Sequence, residues 1–242
     1  MALGASSALS LATLAVEVEH TGNAFYRFLA WNLLLAWVPV AAALAATGAA
    51  RRGAGPVAMS CGLVWILFFP NAPYMLTDYV HLGERDYASA PLWYDALMLS
   101  AFVWTALLLG FFSLYLMQRL WAPLFGPIGE WAAVFLAFAL SSFGVYLGRF
   151  VHINSWDALV RPRRIAHIVA HQFDNPLTHP ALIGTMTVIT LFLVIAYWIV
   201  YSFGGLTTAT TEAVVEEQDL ATASRRSTTP SLKRASADRQ RR

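Results

Sequence analysis

Five long apolar stretches separated by short polar segments dominate the pattern of the chain. Stretches of this length and composition predict helices that cross a lipid bilayer, over about 25–47, 53–69, 92–117, 128–147 and 181–203. We therefore predict an all-α fold, a polytopic transmembrane helix bundle that occupies residues 25–205 and carries short interfacial helices between its spans.

The two ends of the chain differ from this pattern. Residues 1–24 are small and weakly apolar and include Glu17, Glu19 and His20. We interpret them as a surface or interfacial segment, and a sixth span is the alternative. Residues 206–242 consist largely of Thr, Ser, Ala and charged residues, a composition that cannot bury a core and predicts a disordered tail.

Composition supports a multi-pass protein of the cell membrane. Of the 242 residues, 58% are hydrophobic and only 12% are charged, whereas about 25% are charged in an ordinary soluble domain. Membrane lipids are the expected surroundings, and we expect no nucleic-acid partner and no cofactor. The single cysteine, Cys61, cannot form an intramolecular disulfide.

The distribution of Lys and Arg indicates an orientation. The Arg51-Arg52 pair, Arg119 and the seven basic residues of the tail share one side of a five-span bundle, which gives that side ten of the sixteen basic residues. The positive-inside rule then predicts a cytoplasmic tail. In either orientation, the ends of the second and fourth spans emerge on the same face.

The second span stops within "FFPNAPYMLTDYVHL". Seventeen residues, 53–69, give roughly 25 Å of helix, which is less than the hydrocarbon thickness of about 30 Å. Pro70 and Pro73 end this helix because proline lacks an amide hydrogen. Asn71 then has the residue type of an N-cap for a second helix.

Four polar residues follow this break at the spacing of one α-helical stripe: Tyr74, Asp78, His81 and Arg85. One interpretation is an interfacial helix with a polar face. The other is a discontinuous helix whose free amides at Asn71 face an anionic group, as in some transporters.

A second polar constellation, "GRFVHINSWD", ends the fourth span. Arg149 either reaches a lipid phosphate or pairs with Asp78 or Asp157. Asn154 and Asp157 have the spacing of a helix cap, and Trp156 is typical of a membrane interface. Before them, Gly144 and Gly148 form a G-x-x-x-G pair that favours close helix packing.

Two further features have structural and functional interpretations. Asp95 either complements the helix dipole at the start of the third span or faces the same polar group as the motifs above. His167 and His171 have an i, i+4 spacing, but no third ligand accompanies them. We expect a basic interfacial helix there and no metal site.

Four phrases together resemble a known family: "FFPNAPYMLTDYVHL", "PLWYDALMLSAFVWTALLLGFFSL", "YLGRFVHINSWDAL" and "NPLTHP". They are similar to the bacterial and archaeal integral membrane proteins of domain of unknown function family 1361, over about residues 60–200. The resemblance implies a multi-pass bundle, and it implies no activity.

Three classes of function remain open from the sequence: a membrane-embedded enzyme acting on a lipid or lipid-linked anionic substrate, a small-anion or proton-coupled transporter, and a non-catalytic membrane partner. For the first, acid–base chemistry at Asp78, His81 or Asp157 is the hypothesis. The residues expected to bind substrate are Asn71, Tyr74, Asp95, Arg149, Asn154 and Trp156.

Overall fold

A computed structural model describes residues 1–83, 90–151, 163 and 182–204. Several predictions made above lie outside the described residues. They concern the tail after residue 205 and the side chains of Arg85, Asn154, Trp156, Asp157, His167 and His171.

The described part of the chain is helical and contains no strand, which confirms the all-α prediction. Its α-helices are α1 (Ala2–Thr21), α2 (Phe28–Arg51), α3 (Gly55–Phe68), α4 (Asn71–Tyr74), α5 (Leu92–Phe150) and α6 (Leu182–Gly204). Two 3₁₀ helices, Phe25–Arg27 and Met75–Gly83, precede α2 and follow α4. Within the described residues, five helical stretches are long and apolar enough to cross a membrane: Ala2–Thr21, Phe25–Arg51, Gly55–Gly83, Leu92–Phe150 and Leu182–Gly204.

The 59 residues of α5 form two arms that reverse direction at Gly126. Gly126 has φ 66° and ψ 179°, a backbone conformation open only to glycine. Across the turn Gln118 Nε2 donates to Glu130 Oε1 at 2.6 Å. The rings of Phe111 and Phe138 meet further along, with centroids 6.1 Å apart. The arms contain the two predicted stretches 92–117 and 128–147.

The N-terminal segment is a regular helix that packs on α5 and contacts α2 through hydroxyl groups. Thr105 Oγ1 lies 2.6 Å from Ser6 Oγ and 3.2 Å from Ser10 Oγ. Trp37 Nε1 donates to Ser7 Oγ at 3.1 Å. With 20 residues, α1 has the length of a span, so the interfacial position and the membrane crossing both stay predictions.

The predicted break after the second span packs into α5 at two glycines. A Cβ atom on Gly144 would lie 2.7 Å from Pro70 Cγ, and one on Gly110 would lie 2.9 Å from Ala72 Cβ. The core continues beside them, where the ring of Phe69 stacks on Trp65 at 4.6 Å and approaches Phe138 at 5.9 Å. The break is therefore held between the two arms of α5.

Two compact units divide the chain, residues 1–194 and 195–242. In the first unit the end of α1, the start of α2, the end of α3 and both ends of α5 lie on the same side of the bundle. Tyr26, in the 3₁₀ helix that precedes α2, lies near Asp95 at the start of α5, and Arg149 at the end of α5 reaches Thr77. The candidate site lies at this end.

Candidate functional site

The 3₁₀ helix Met75–Gly83 places Asp78 and His81 on one line. Its turn of three residues aligns positions i, i+3 and i+6, and both Met75 and Asp78 on this line are buried. The predicted α-helical stripe is therefore wrong for Tyr74, which lies about 120° away from Asp78 at three residues per turn. Tyr74 is half-buried.

Asp78 is a buried carboxylate held by side chains from two other helices. Its side chain is 1% exposed. Asn32 Nδ2, from the first turns of α2, donates to Asp78 Oδ2 at 3.1 Å, and Arg149 Nη1 lies 4.0 Å from Asp78 Oδ1. Burying a carboxylate costs free energy unless the group is paired and hydrogen-bonded. These two neighbours therefore offset the cost of burying Asp78.

Arg149 is fixed by three contacts at the end of α5. Its Nη2 donates to the carbonyl oxygen of Thr77 at 2.9 Å, and its Nη1 lies 3.5 Å from His81 Nε2 as well as near Asp78. The alternatives for this arginine were a lipid phosphate and a pair with Asp78 or Asp157, and the structure contains the pair with Asp78. The guanidinium group nevertheless keeps a route to solvent, because the side chain is 20% exposed.

His81 lies between Arg149 and an aromatic wall. Its ring centroid is 4.7 Å from that of Phe28 and 5.8 Å from that of Phe25. Asn32, Thr77, Asp78, His81 and Arg149 are called the Asp78–Arg149 cluster below.

Asn71 does not cap a helix, which corrects the prediction. It lies inside α4, whose N-cap is Pro70, and its Nδ2 donates to the carbonyl oxygen of Phe68 at the end of α3, at 2.8 Å. The backbone also continues in right-handed helical conformation through Phe69 and Pro70.

The amides at the break are largely occupied. Ala72 N donates to the carbonyl of Phe69 at 3.2 Å and Tyr74 N to that of Pro70 at 3.0 Å, while Pro70 and Pro73 have no amide hydrogen. The geometry therefore does not support an anion site on free amides at Asn71.

Asp95 belongs to a second polar group, formed by α1, the start of α2 and the start of α5. Its side chain is fully buried, and Tyr26 Oη donates to its Oδ2 at 3.5 Å. Glu17 of α1 is also buried, and Tyr94 is within electrostatic range of both carboxyl groups. Tyr94 Oη donates to the carbonyl of Thr13 at 2.8 Å.

Some members of these groups were not predicted from the sequence. Asn32 had a detectable signal, since an amide within the apolar stretch "AWNLLLAW" requires a polar partner at membrane depth. Tyr26 and the Thr77 carbonyl gave none, because one is a common aromatic and the other is backbone. Among the described residues, no group of three His, Cys, Asp or Glu side chains could hold a metal ion.

Comparison with known families decides the relationship of this chain. The profile of the family described as "Protein of unknown function (DUF1361)" matches residues 31–207. The chain belongs to the DUF1361 family. No curated protein and no solved structure matches it.

The matched range of this DUF1361 protein contains the whole Asp78–Arg149 cluster, from Asn32 to Arg149. It extends the resemblance over 60–200 to include nearly all of α2. Helix α1, with Glu17, precedes it.

Proposed function

We propose that this DUF1361 protein is a membrane-embedded enzyme that binds a lipid or lipid-linked substrate by an anionic group, at the membrane face of the Asp78–Arg149 cluster. The observation that supports this proposal is the state of Arg149. Three neighbours hold its guanidinium group, yet the side chain remains one-fifth exposed beside a titratable imidazole.

A guanidinium group fixed in advance is suited to an anionic ligand. Arginine binds carboxylates and phosphates through a planar fork of donors, and holding that fork rigid reduces the entropy lost on binding. Asp78 and the Thr77 carbonyl supply this rigidity, so Asp78 acts as a positioning residue, because its burial keeps it from substrate.

His81 is the candidate acid–base group in this proposal. It adjoins the guanidinium that binds the anion, and imidazole changes charge near neutral pH. Its packing on Phe25 and Phe28 fixes the orientation of the ring. In this mechanism Arg149 binds the anionic group, and His81 donates or accepts the proton next to it.

A deletion strain tests the proposal through its membrane lipids. We expect deletion to change the amount of one lipid or lipid-linked species, and the wild-type gene to restore it. Arg149→Gln and His81→Gln should fail to restore it. Arg149→Lys should restore it only partly, since an ammonium group cannot occupy the positions of both guanidinium nitrogens.

Arg27→Gln is the matched control, since Arg27 is exposed at the same end of the bundle and outside the cluster. Each variant is quantified in the membrane fraction before comparison. Full restoration by Arg149→Gln and His81→Gln, at wild-type protein levels, would refute the proposed enzyme site.

A second candidate function is a proton-coupled transporter, and the buried carboxyl groups of Glu17 and Asp95 favour it. Ionisable side chains inside a membrane bundle are rare and commonly mark ion or proton pathways. Both residues are at most 3% exposed. In this case deletion should leave lipids unchanged and cause a soluble ion or metabolite to accumulate, and Asp95→Asn should fail to reverse the accumulation.

A further inference from the structure

A large apolar groove lies at the other end of the bundle from the Asp78–Arg149 cluster. Its volume is about 660 Å³, and α3 and both arms of α5 beside the Gly126 turn form its walls. Small, aliphatic and aromatic side chains line it, among them Leu63, Trp65, Trp121, Ala133 and Leu136. We call it the α3–α5 groove.

The α3–α5 groove opens to the surroundings of the bundle. Leu63 and Leu136 on its walls are 64% and 57% exposed, whereas Trp65 at its base is buried. Apolar cavities of this kind do not hold ordered water, since water needs polar partners. For helices that cross a bilayer, the groove faces hydrocarbon, and its volume is typical of ligand sites.

Two exposed arginines adjoin one end of the groove. Ala50 and Gly55 line it, and the two exposed residues Arg51 and Arg52 lie between them in the chain. Among the described residues, neither arginine has a carboxylate partner. Glu130, the acidic residue that the structure describes at this end, accepts a hydrogen bond from Gln118.

A third arginine lies beside the opposite wall. Arg119 directly precedes Leu120 and Trp121, which line the groove. Its Nε donates to Tyr115 Oη at 3.1 Å, and its guanidinium carbon lies 5.4 Å from the centre of the Tyr115 ring. Because this side chain is already engaged, Arg51 and Arg52 are, among the described residues, the arginines that a ligand at this end of the groove would meet.

We propose that the α3–α5 groove binds one acyl chain of an anionic phospholipid, whose phosphate lies against Arg51 and Arg52. An apolar chain matches the walls of the groove, and a negative head group matches the charge at its end. Basic sites between transmembrane helices bind anionic head groups in this way. This lipid site is separate from the proposed enzyme site, since its charged end, at Arg51 and Arg52, precedes α3 and the Asp78–Arg149 cluster lies beyond the end of α3.

Native mass spectrometry of the full chain in detergent micelles tests the proposal. The protein is titrated with dioleoyl phosphatidylglycerol or dioleoyl phosphatidylcholine, and the bound fraction is measured. We expect wild type to prefer phosphatidylglycerol by about tenfold. Arg51→Gln/Arg52→Gln should abolish this preference, and high salt should reduce it in wild type.

Matched control variants distinguish lipid binding in the groove from general effects of a substitution. Ala133→Phe fills the groove and should weaken both lipids, whereas Ala132→Phe, at an exposed neighbouring position outside it, should not. Arg27→Gln removes an exposed arginine at the other end and should keep the preference. Loss of the lipid site is read from Arg51→Gln/Arg52→Gln in this titration, and loss of the enzyme site from Arg149→Gln in the deletion strain, so the two failures are distinguishable.

Three results would overturn the proposal. The first is equal binding of the two lipids by wild type at low salt. The second is equal binding by the Ala133→Phe and Ala132→Phe variants. The third is a lipid-free dimer as the main species, with Ala133→Phe shifting it to monomer, because a second copy would then occupy the groove.

Discussion

The burial of the Asp78 carboxylate depends on Arg149, a residue that is distant in the chain. Asp78 is 1% exposed and Arg149 is 20% exposed, so the carboxylate has less access to water than its cationic neighbour. Removing the arginine leaves a buried negative charge with Asn32 as its hydrogen-bond donor. Removing both charges leaves polar groups that are cheaper to bury.

We therefore predict that Arg149→Gln destabilises the protein by about 3 kcal/mol. The double variant Asp78→Asn/Arg149→Gln should lose less, because no unpaired charge remains at Asp78. Reversible unfolding in mixed detergent micelles measures both. Arg27→Gln, at an exposed site, should change the free energy of unfolding by less than about 0.5 kcal/mol. A double variant less stable than Arg149→Gln would contradict the pairing.

For single residues, the sequence predicts part of the candidate site. Topology alone indicates that Asp78, His81 and Arg149 share one face, and the structure brings them into contact. Tyr74 was misplaced, because its position depends on helix type, and a 3₁₀ helix follows the two prolines instead of an α-helix. Asp95 had two interpretations, the helix dipole and a shared polar group, and in the structure Tyr26 Oη donates to its Oδ2.

At the scale of elements, Gly144 permits the close approach of α5 to the break at Pro70. Gly144→Ala should destabilise the protein by about 1–3 kcal/mol, since its Cβ would lie 2.7 Å from a rigid proline ring. Gly48→Ala is the control, because it lies within α2 and a Cβ there has nothing within 4 Å. Equal unfolding midpoints for the two variants would show that a Cβ at position 144 can be accommodated beside Pro70.

The turn in α5 depends on Gly126 for a different reason. A Cβ there has nothing within 4 Å, but the backbone has φ 66°. Gly126→Ala should cost about 2 kcal/mol from backbone strain alone, measured by the same unfolding assay. A Gly126→Ala variant as stable as wild type would mean that the turn adopts another conformation.

Most elements follow from the hydrophobic pattern, and the N-terminal helix does not. The apolar stretches predicted the arms of α5 and the end of α3 near Pro70, because burial in lipid requires long runs of apolar residues. The regular helix at 2–21 was missed because its packing depends on Ser6, Ser10 and Thr105, whose hydrogen bonds join residues far apart in the chain.

At the scale of the whole molecule, the direction of α1 relative to α2 determines on which side of the bundle the N-terminus lies. Ser7 contacts Trp37, and a short connection at Gly22 joins α1 to α2. The two helices are therefore antiparallel, and Ala2 lies toward the Arg52 end of α2. We expect α1 to cross the bilayer.

Cysteine labelling in a Cys61→Ser background tests this expectation. Ala2→Cys and Arg52→Cys should react with a membrane-impermeant maleimide from the same side, and Ala24→Cys from the opposite side. An interfacial α1 predicts instead that Ala2→Cys and Ala24→Cys react from the same side. The latter pattern would exclude the crossing.

Because α5 reverses direction, Asp78 and Arg149 meet in space although they are synthesised at different times. The chain separates Thr77 from Arg149 by 72 residues, and ribosomes add about 5–20 residues per second. Asp78 is therefore added to the chain roughly 4–14 s before Arg149. During that interval the nascent carboxyl group must stay in water, become protonated or rely on Asn32. Completion of the cluster is thus a late step of biosynthesis that requires the second arm of α5 to be inserted.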